Sequence, residues 1–173
     1  MQEGSYTLRC TIDTVDRDPL LLDITIELAY LLSAPYTVAA SVDLTFSASV
    51  IFDEVASLAL IDDGFDVIDV NSIEITTSLD GATPSMLEAS LTNGVNDLDL
   101  TLDTDQNGVA GPHRIELDPA TTATSAMEGA SEVELALALE QISLVLGDVQ
   151  VPTDCISAEL RGFTTRFPVR PSD

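Results

Sequence analysis

The chain has no tryptophan and no lysine among its 173 residues, and aromatic side chains make up only 5% of it. The absence of tryptophan argues against a sugar-binding cleft, because such clefts stack aromatic rings on the sugar. The core must instead come from leucine, valine, isoleucine and alanine. Hydrophobic residues amount to 45%, which is ordinary for a globular protein, and this length suits one domain with its own core.

Basic residues are also scarce. Six arginines face 30 aspartates and glutamates, which gives a formal net charge of −24. A surface of this charge repels nucleic acid and anionic lipid, since both carry dense negative charge. We therefore predict a protein or surface partner, with self-association included, and no nucleic-acid partner. The sequence also has no apolar run near the ~20 residues of a membrane-spanning helix, so no membrane span is predicted.

Only two cysteines are present, Cys10 and Cys155. They allow one intramolecular pairing, and Cys10 is in phase with the inward residues of its strand. A disulfide would close a loop of about 146 residues, worth about 5 kcal/mol in the chain-entropy model. It would also indicate an oxidising compartment, although MQEGSY does not read as a signal peptide. The alternative is two separate buried thiols.

Two-residue alternation dominates the chain. From Val38 to Phe52 every second residue is apolar, and Ser41, Asp43 and Thr45 lie on the other face. This period is typical of strands with one buried face. The sequence predicts an all-β, two-sheet antiparallel β-sandwich, immunoglobulin-like or jelly-roll-like, with nine or ten strands. It would occupy residues 1–167, with 168–173 as a C-terminal linker or tail.

Other segments carry more local signals. Residues 53–60 favour a short helix, and 133–146 favour strand over helix because their period is two. Asp80-Gly81 indicates a hairpin turn. Residues 98–102 are expected to pair with the strand containing Ile115 and Leu117. The small, polar segment 118–129 is expected to be a loop.

The strongest candidate for a bound ion is the sequence from Asp103 to Gly108. Asp103, Asp105 and Asn107 place oxygen ligands at alternate positions before a glycine, as at the start of an EF-hand calcium loop. Arg114 occupies the twelfth position, where that loop needs a bidentate glutamate, so Glu116 is the substitute ligand. The alternative is a polar hairpin tip. Calcium is the predicted cofactor, and no other cofactor is expected.

No catalytic motif is recognisable in the sequence. His113, the single histidine, has no partner at a catalytic spacing and is expected to lie exposed in a loop. We predict that the protein is not an enzyme. A hydrolase with dispersed carboxylates remains a minor alternative, because paired carboxylates need no fixed sequence spacing.

The segments Tyr6–Ile12 and Val151–Cys155 resemble a group of bacterial domains. These are the disulfide-closed β-sandwich domains of unknown function in secreted and surface proteins of actinobacteria. The resemblance spans residues 6–160 and rests on a cysteine in the first strand, alternating strands and a second cysteine near the end. It implies a secreted or surface module, and it carries over no functional residue beyond Cys10 and Cys155.

These observations predict a non-catalytic secreted or cell-surface module, extracellular or periplasmic, with a structural, adhesive or assembly role and stiffened by calcium. The alternative is a carrier of an apolar, lipid-like ligand on a concave sheet face. That alternative rests on apolar residues predicted to point outward, which are Ala29, Leu31, Ala136 and Ala138.

Overall fold

A computed structural model describes residues 2–13, 18–38, 40–93, 98–100, 111–146, 149–151, 153–156 and 163–171. Within them the chain forms thirteen strands and one helix, arranged as two antiparallel sheets. This confirms the predicted all-β, two-sheet architecture. The strand number exceeds nine or ten because five of the thirteen strands have only two to four residues.

The elements follow one another in chain order. They are β1 (Gln2–Ile12), β2 (Leu20–Leu32), β3 (Ser41–Phe52), α1 (Glu54–Asp62), β4 (Val67–Asp80), β5 (Ala82–Thr83), β6 (Met86–Thr92), β7 (Leu98–Asp99), β8 (His113–Glu116), β9 (Ala120–Ala126), β10 (Glu132–Leu146), β11 (Val149–Val151), β12 (Thr153–Ile156) and β13 (Phe163–Pro168).

The larger sheet has seven strands in the order β12-β1-β2-β3-β9-β5, and β8 lies beside β3 next to β9. The smaller sheet has six strands in the order β11-β10-β4-β6, with β13 on β10 and β7 on β4. The long β10 confirms the strand prediction for 133–146 and shows register shifts against β4 between Leu139 and Gln141 and between Ser143 and Leu144. Beyond β13, Val169 and Arg170 donate backbone hydrogen bonds to the carbonyls of Ser131 and Tyr36.

The core lies between the sheets and follows the alternation read from the sequence. On β3, the predicted inward positions are all buried. The neighbouring strands contribute their own alternate residues, so one continuous apolar cluster joins both sheets. The buried positions of β2 and β3 are Leu22, Ile24, Ile26, Leu28, Tyr30, Val42, Leu44, Phe46, Ala48, Val50 and Phe52.

The predicted short helix is present as α1. Its N-terminus is capped by Asp53, whose side chain accepts a hydrogen bond of 2.8 Å from the backbone N–H of Ala56. Ala56, Ser57 and Leu60 form its buried side. The cap explains why the chain leaves the strand conformation immediately after Phe52.

The prediction of a loop over 118–129 was wrong, because residues 120–126 form β9. This strand pairs with the first half of β3, and Thr121 Oγ1 lies 2.9 Å from Thr45 Oγ1. The segment is rich in β-branched threonine, which suits a pleated surface, although its small side chains resemble those of a loop. Pairing with β3, rather than any local pattern, makes it a strand.

The turn predicted at Asp80-Gly81 is present, with Gly81 at φ +81°, but the hairpin is wider than a two-residue turn. The chain first contributes β5 to the other sheet and then returns as β6, which pairs antiparallel with β4 from Met86 opposite Ser78. A Cβ at Gly81 would lie 2.5 Å from the carbonyl oxygen of Glu132. Glycine is therefore required there both by the positive φ and by the close approach of β10.

The predicted partner of the segment 98–102 differs for its first two residues, while residues 101 and 102 lie outside the described part of the chain. Leu98 and Asp99 form β7, which pairs with the start of β4 in the smaller sheet. The strand containing Ile115 is β8, which pairs with the end of β3 in the larger sheet. Both segments alternate in the same way, and alternation does not specify which strand lies alongside.

Candidate functional site

The outer face of the seven-stranded sheet carries a trough with a volume of about 460 Å³, which we call the Arg114 trough. The small side chains of Ala29 and Ser47 contribute to its lining. Charged and hydroxyl side chains from β1, β2, β3 and β8 also line it. These are Glu3, Ser5, Glu27, Ser49, Arg114 and Glu116.

Arg114 connects the side chains of this trough through hydrogen bonds to three residues. Its Nη1 donates to Glu27 Oε2 at 2.6 Å, its Nη2 donates to Ser49 Oγ at 2.7 Å, and its Nε donates to Glu116. Ser49 in turn donates to Glu116 Oε2 at 2.6 Å. The guanidinium therefore connects β2, β3 and β8 on the outside of the sheet.

The electrostatics of the trough follow from this network. The hydrogen bond from Ser49, followed by that from Arg114, lowers the pKa of Glu116 below its ordinary value, because both bonds favour the charged form. Desolvation opposes them but is smaller. Two carboxylates thus share one guanidinium, and the trough presents carboxylate and hydroxyl oxygens to its surroundings.

Of the four predicted calcium ligands, only Glu116 lies among the described residues. Asp103, Asp105 and Asn107 lie outside them, so their arrangement stays a prediction. Glu116 lies on β8, and both of its carboxylate oxygens accept hydrogen bonds from Arg114 or Ser49. Among the described residues, no group of three or more metal-ligating side chains is assembled.

His113 is buried, which contradicts the expectation of an exposed loop histidine. Only 2% of it is exposed, because it begins β8 and points inward opposite Phe52. Its Nδ1 lies 2.9 Å from the hydroxyl of Ser57, which is completely buried on α1. The pair links the helix to the sheet, and substrate cannot reach it in this conformation. Nothing local to the sequence Gly-Pro-His-Arg indicated this contact with a residue 56 positions away.

The two cysteines are brought together in register. Cys10 on β1 is the Cα partner of Cys155 on β12, the antiparallel strand at the sheet edge. Cys10 is completely buried and its sulfur is not free. The pairing of strands from the two ends of the chain thus aligns the residues that the sequence singled out.

The alternative of an apolar-ligand carrier stays a prediction, and the trough gives it no specific support. Its lining combines carboxylates, hydroxyls and a guanidinium with small apolar groups. Ala29 lies in this lining, while Leu31 is 45% exposed on the same face. Ala29 and Leu31 belong to β2 of the larger sheet, whereas Ala136 and Ala138 belong to β10 of the smaller one, so the four residues do not share a sheet face. Single exposed apolar groups of this kind are common on soluble proteins.

Comparison with known proteins gives one informative result. No protein-family model matches the sequence, and no curated protein matches it significantly. The fold is similar to that in a crystal structure of a Corynebacterium diphtheriae protein that is inferred to be membrane-anchored. The TM-score is 0.57 and the sequence identity is 14%. The match covers 99% of this chain but 38% of that protein.

At this level of identity the similarity shows the fold alone. It agrees with the coarse part of the predicted resemblance, since the similar structure also comes from an actinobacterium. The chain spans less than two fifths of the length of that protein. In the described parts of the chain, no helix has the length and hydropathy needed to cross a bilayer. The fold of this chain is thus similar to that of one part of a longer bacterial protein.

Proposed function

We propose that this chain is a non-catalytic module of an extracellular or cell-surface protein, with a structural, adhesive or assembly role. The observation that carries the proposal is the register of Cys10 opposite Cys155. Residues directly opposite in an antiparallel pair have Cα atoms about 4.5–5.5 Å apart, which falls within the range of about 4.4–6.8 Å for disulfides. A bridge at this position needs no backbone movement.

The position of this bridge would also suit a module exposed outside the cell. It would join the first strand to a strand near the end of the chain, at the edge of the larger sheet. Edge strands are the parts of a sheet most open to separation, because they are paired on one side only. A covalent link across β1 and β12 would keep this edge closed, and disulfides persist in oxidising compartments.

The comparison with a Corynebacterium diphtheriae protein supports the same proposal. That protein is inferred to be membrane-anchored, and the match to the present chain covers 38% of it. A domain that forms part of a longer anchored protein would present its loops and sheet faces to the outside. The strong negative charge fits a soluble, non-aggregating surface domain, since net charge far from zero opposes association through non-specific contacts.

Two features support the proposal that the module is non-catalytic. In the Arg114 trough, Glu27 and Glu116 bind Arg114, and Ser49, whose hydroxyl donates to Glu116, is only 4% exposed. The Ser57–His113 pair is enclosed by the core, with 0% and 2% of the two residues exposed. Catalytic groups need access to substrate, and a nucleophile needs its base within hydrogen-bond reach.

Calcium at Asp103, Asp105 and Asn107 remains part of the proposal on the strength of the oxygen spacing alone. Calorimetric titration of calcium into the wild type and Asp105→Ala tests it, with Asp62→Ala as a control of equal charge change. Saturable binding lost only in Asp105→Ala would support a calcium-stiffened module. Weak binding that is equal in all three would leave residues 103–108 as a polar hairpin tip.

The proposal as a whole is tested by the redox state and location of the native protein. Cells producing the full-length protein would be fractionated, and free thiols alkylated under denaturing conditions before and after reduction. We expect two alkylations only after reduction, on protein from the surface or secreted fraction. A Cys10→Ala/Cys155→Ala variant provides the control for labelling at other groups. Reduced cysteines on a cytoplasmic protein would overturn the proposal.

A further inference from the structure

A second cavity lies at the end of the sandwich where β2 leads into β3. Its volume is about 500 Å³, and we call it the Arg170 groove. Small and apolar residues line most of it, together with one guanidinium. The lining includes Ala34, Pro35, Ala40, Val42, Arg170 and Pro171.

The Arg170 groove has a fixed wall. The N–H of Arg170 donates to the carbonyl of Tyr36 at 2.8 Å, and Thr37 forms a parallel bridge with Arg170. Tyr36 is completely buried, and its ring centroid lies 6.0 Å from that of Phe167 on β13. The two chain segments that line the groove are therefore tied to each other and to the core.

The charge of this groove differs from that of the rest of the protein. The other described arginines bind carboxylates, with Arg9 on Asp23, Arg114 on Glu27 and Glu116, and Arg166 on Glu134. Arg170 has no ion pair among the described residues, and its groove contains no acidic side chain. An exposed guanidinium that binds no carboxylate in the described part of the chain is suited to a carboxylate from another molecule.

The opposite end of the sandwich has the complementary features. The first turn of α1 exposes Glu54 and Val55, and 74% of Val55 is accessible to solvent. Five acidic residues lie between positions 53 and 66, with no basic residue among them. We call the exposed residues Asp53, Glu54 and Val55 the α1 tip. It combines an apolar side chain with negative charge.

The Arg170 groove and the α1 tip cannot meet within one copy. Val42 lies at the start of β3, and α1 follows the end of the same strand. Twelve residues of strand separate the two features by roughly 35 Å. Two copies placed end to end bring one groove against the next tip.

We propose that the Arg170 groove binds the α1 tip of a second copy of this chain. The carboxylate of Glu54 pairs with the guanidinium of Arg170, and Val55 packs against the exposed Pro35 and Pro171. The contact joins two different surfaces, so it is heterologous and extends into head-to-tail chains rather than closing into a dimer. This inference rests on the proposed assembly role and names the partner.

The net charge of −24 sets the conditions for this contact. Two copies repel each other over long distances at low salt, whereas at about 0.15 M salt the screening length falls to about 8 Å. The repulsion between distant charges is then screened more than the close pair at the groove. Association is expected to be strongest at intermediate ionic strength and weaker on both sides of it.

Sedimentation velocity of the purified chain over a range of concentration and salt tests the proposal. We expect concentration-dependent oligomers longer than a dimer for the wild type. Arg170→Glu and Glu54→Arg should each weaken association by about tenfold or more, because each places like charges together at the contact. The combined Glu54→Arg/Arg170→Glu variant should restore it. Glu88→Arg on β6 changes the net charge as Glu54→Arg does and is the control for that variant.

Restoration by the double variant is the decisive result, because a merely misfolded single variant would not be rescued. Circular dichroism would confirm that all variants fold. A wild type that is monomeric at every concentration and salt would overturn the inference. Single variants that associate like the wild type, or a double variant that stays monomeric, would overturn it too. The location and thiol experiment is independent of these outcomes, so the proposed function can hold if this inference fails.

Discussion

The two faces of the seven-stranded sheet use the same backbone for different purposes. On the inner face, β3 buries Phe46 and Phe52 in the core. On the outer face, the same strand places Thr45 and Ser47 among hydroxyls and charged groups. Burying a large side chain removes ~100 Å² or more of apolar surface from water. An exposed ion pair contributes little to the free energy of folding, because its two groups are also well hydrated when they are apart. We therefore expect stability to depend mainly on the inner face.

The outer face is not uniform, and Ser49 shows why. It lies on the outer side of β3, yet only 4% of it is exposed, because Arg114 and Glu116 cover it. Its hydroxyl accepts from the guanidinium and donates to the carboxylate. An outer position can thus become a partly buried polar contact when long side chains from the next strand fold over it.

The largest expected effect comes from the inner face. Phe46→Ala should lower the free energy of unfolding by about 3–5 kcal/mol, since it removes a buried ring that is 1% exposed and leaves a cavity. Chemical denaturation monitored by circular dichroism measures this change. Ser47→Ala, one residue along and on the outer face, is the matched control and should change stability by no more than about 0.5 kcal/mol. Equal losses in the two variants would contradict the difference between the faces.

A smaller effect on the free energy of unfolding is expected at Glu116, and this effect depends on pH. In the folded protein, hydrogen bonds from Ser49 and Arg114 lower the pKa of Glu116. The ionised Glu116 therefore stabilises the fold fully at pH values above the unfolded pKa of about 4.3. That stabilisation is lost as the pH falls through the lower folded pKa. Glu116→Gln should cost no more than about 1 kcal/mol at pH 7, because the group is largely exposed.

The measurement for Glu116 is chemical denaturation of the wild type and Glu116→Gln between pH 7 and pH 2.5. The gap between the two curves should narrow as the pH falls. Glu128→Gln, in an exposed loop, is the control for removing one negative charge from an acidic protein. A gap that stays constant or widens on acidification would contradict the assignment of the lowered pKa to this network.

The smallest effect is expected at the pair of Arg9 and Asp23. The guanidinium donates two hydrogen bonds to the carboxylate, at 2.8 and 3.0 Å, but both side chains are exposed to solvent. Arg9→Ala should leave the denaturation midpoint unchanged within experimental error at physiological salt, since water and ions replace the contact. A clear loss of stability would show that the outer face contributes more than exposure suggests.

Much of the architecture could be predicted from local pattern. Alternation in β2, β3 and β10 predicted strands, their inward residues and the two-sheet class. Residues 53–60 were likewise predicted to form a short helix, which is α1. These features depend on each residue's position relative to its immediate neighbours, which the sequence contains directly.

The sites were less predictable, because they depend on which strands lie side by side. His113 reads as a loop residue until β8 pairs with the end of β3 and α1 brings Ser57 to its ring. The segment containing β9 reads as a loop until β3 supplies its partner. Arg114 and Glu116 were considered only as parts of a calcium loop, and their contacts with Glu27 and Ser49 come from distant strands.

By itself, the sequence determined the alternating strands, the apolar core they form, the strong negative charge and the two cysteines. The periodicity of a strand is a local property, and composition is independent of the fold. Only the tertiary structure decided that Cys10 faces Cys155, that Arg114 binds two glutamates, and that no described carboxylate lies in the groove of Arg170. Each of these depends on contacts between residues far apart in the chain, and such contacts arise only when the strands have found their neighbours and register.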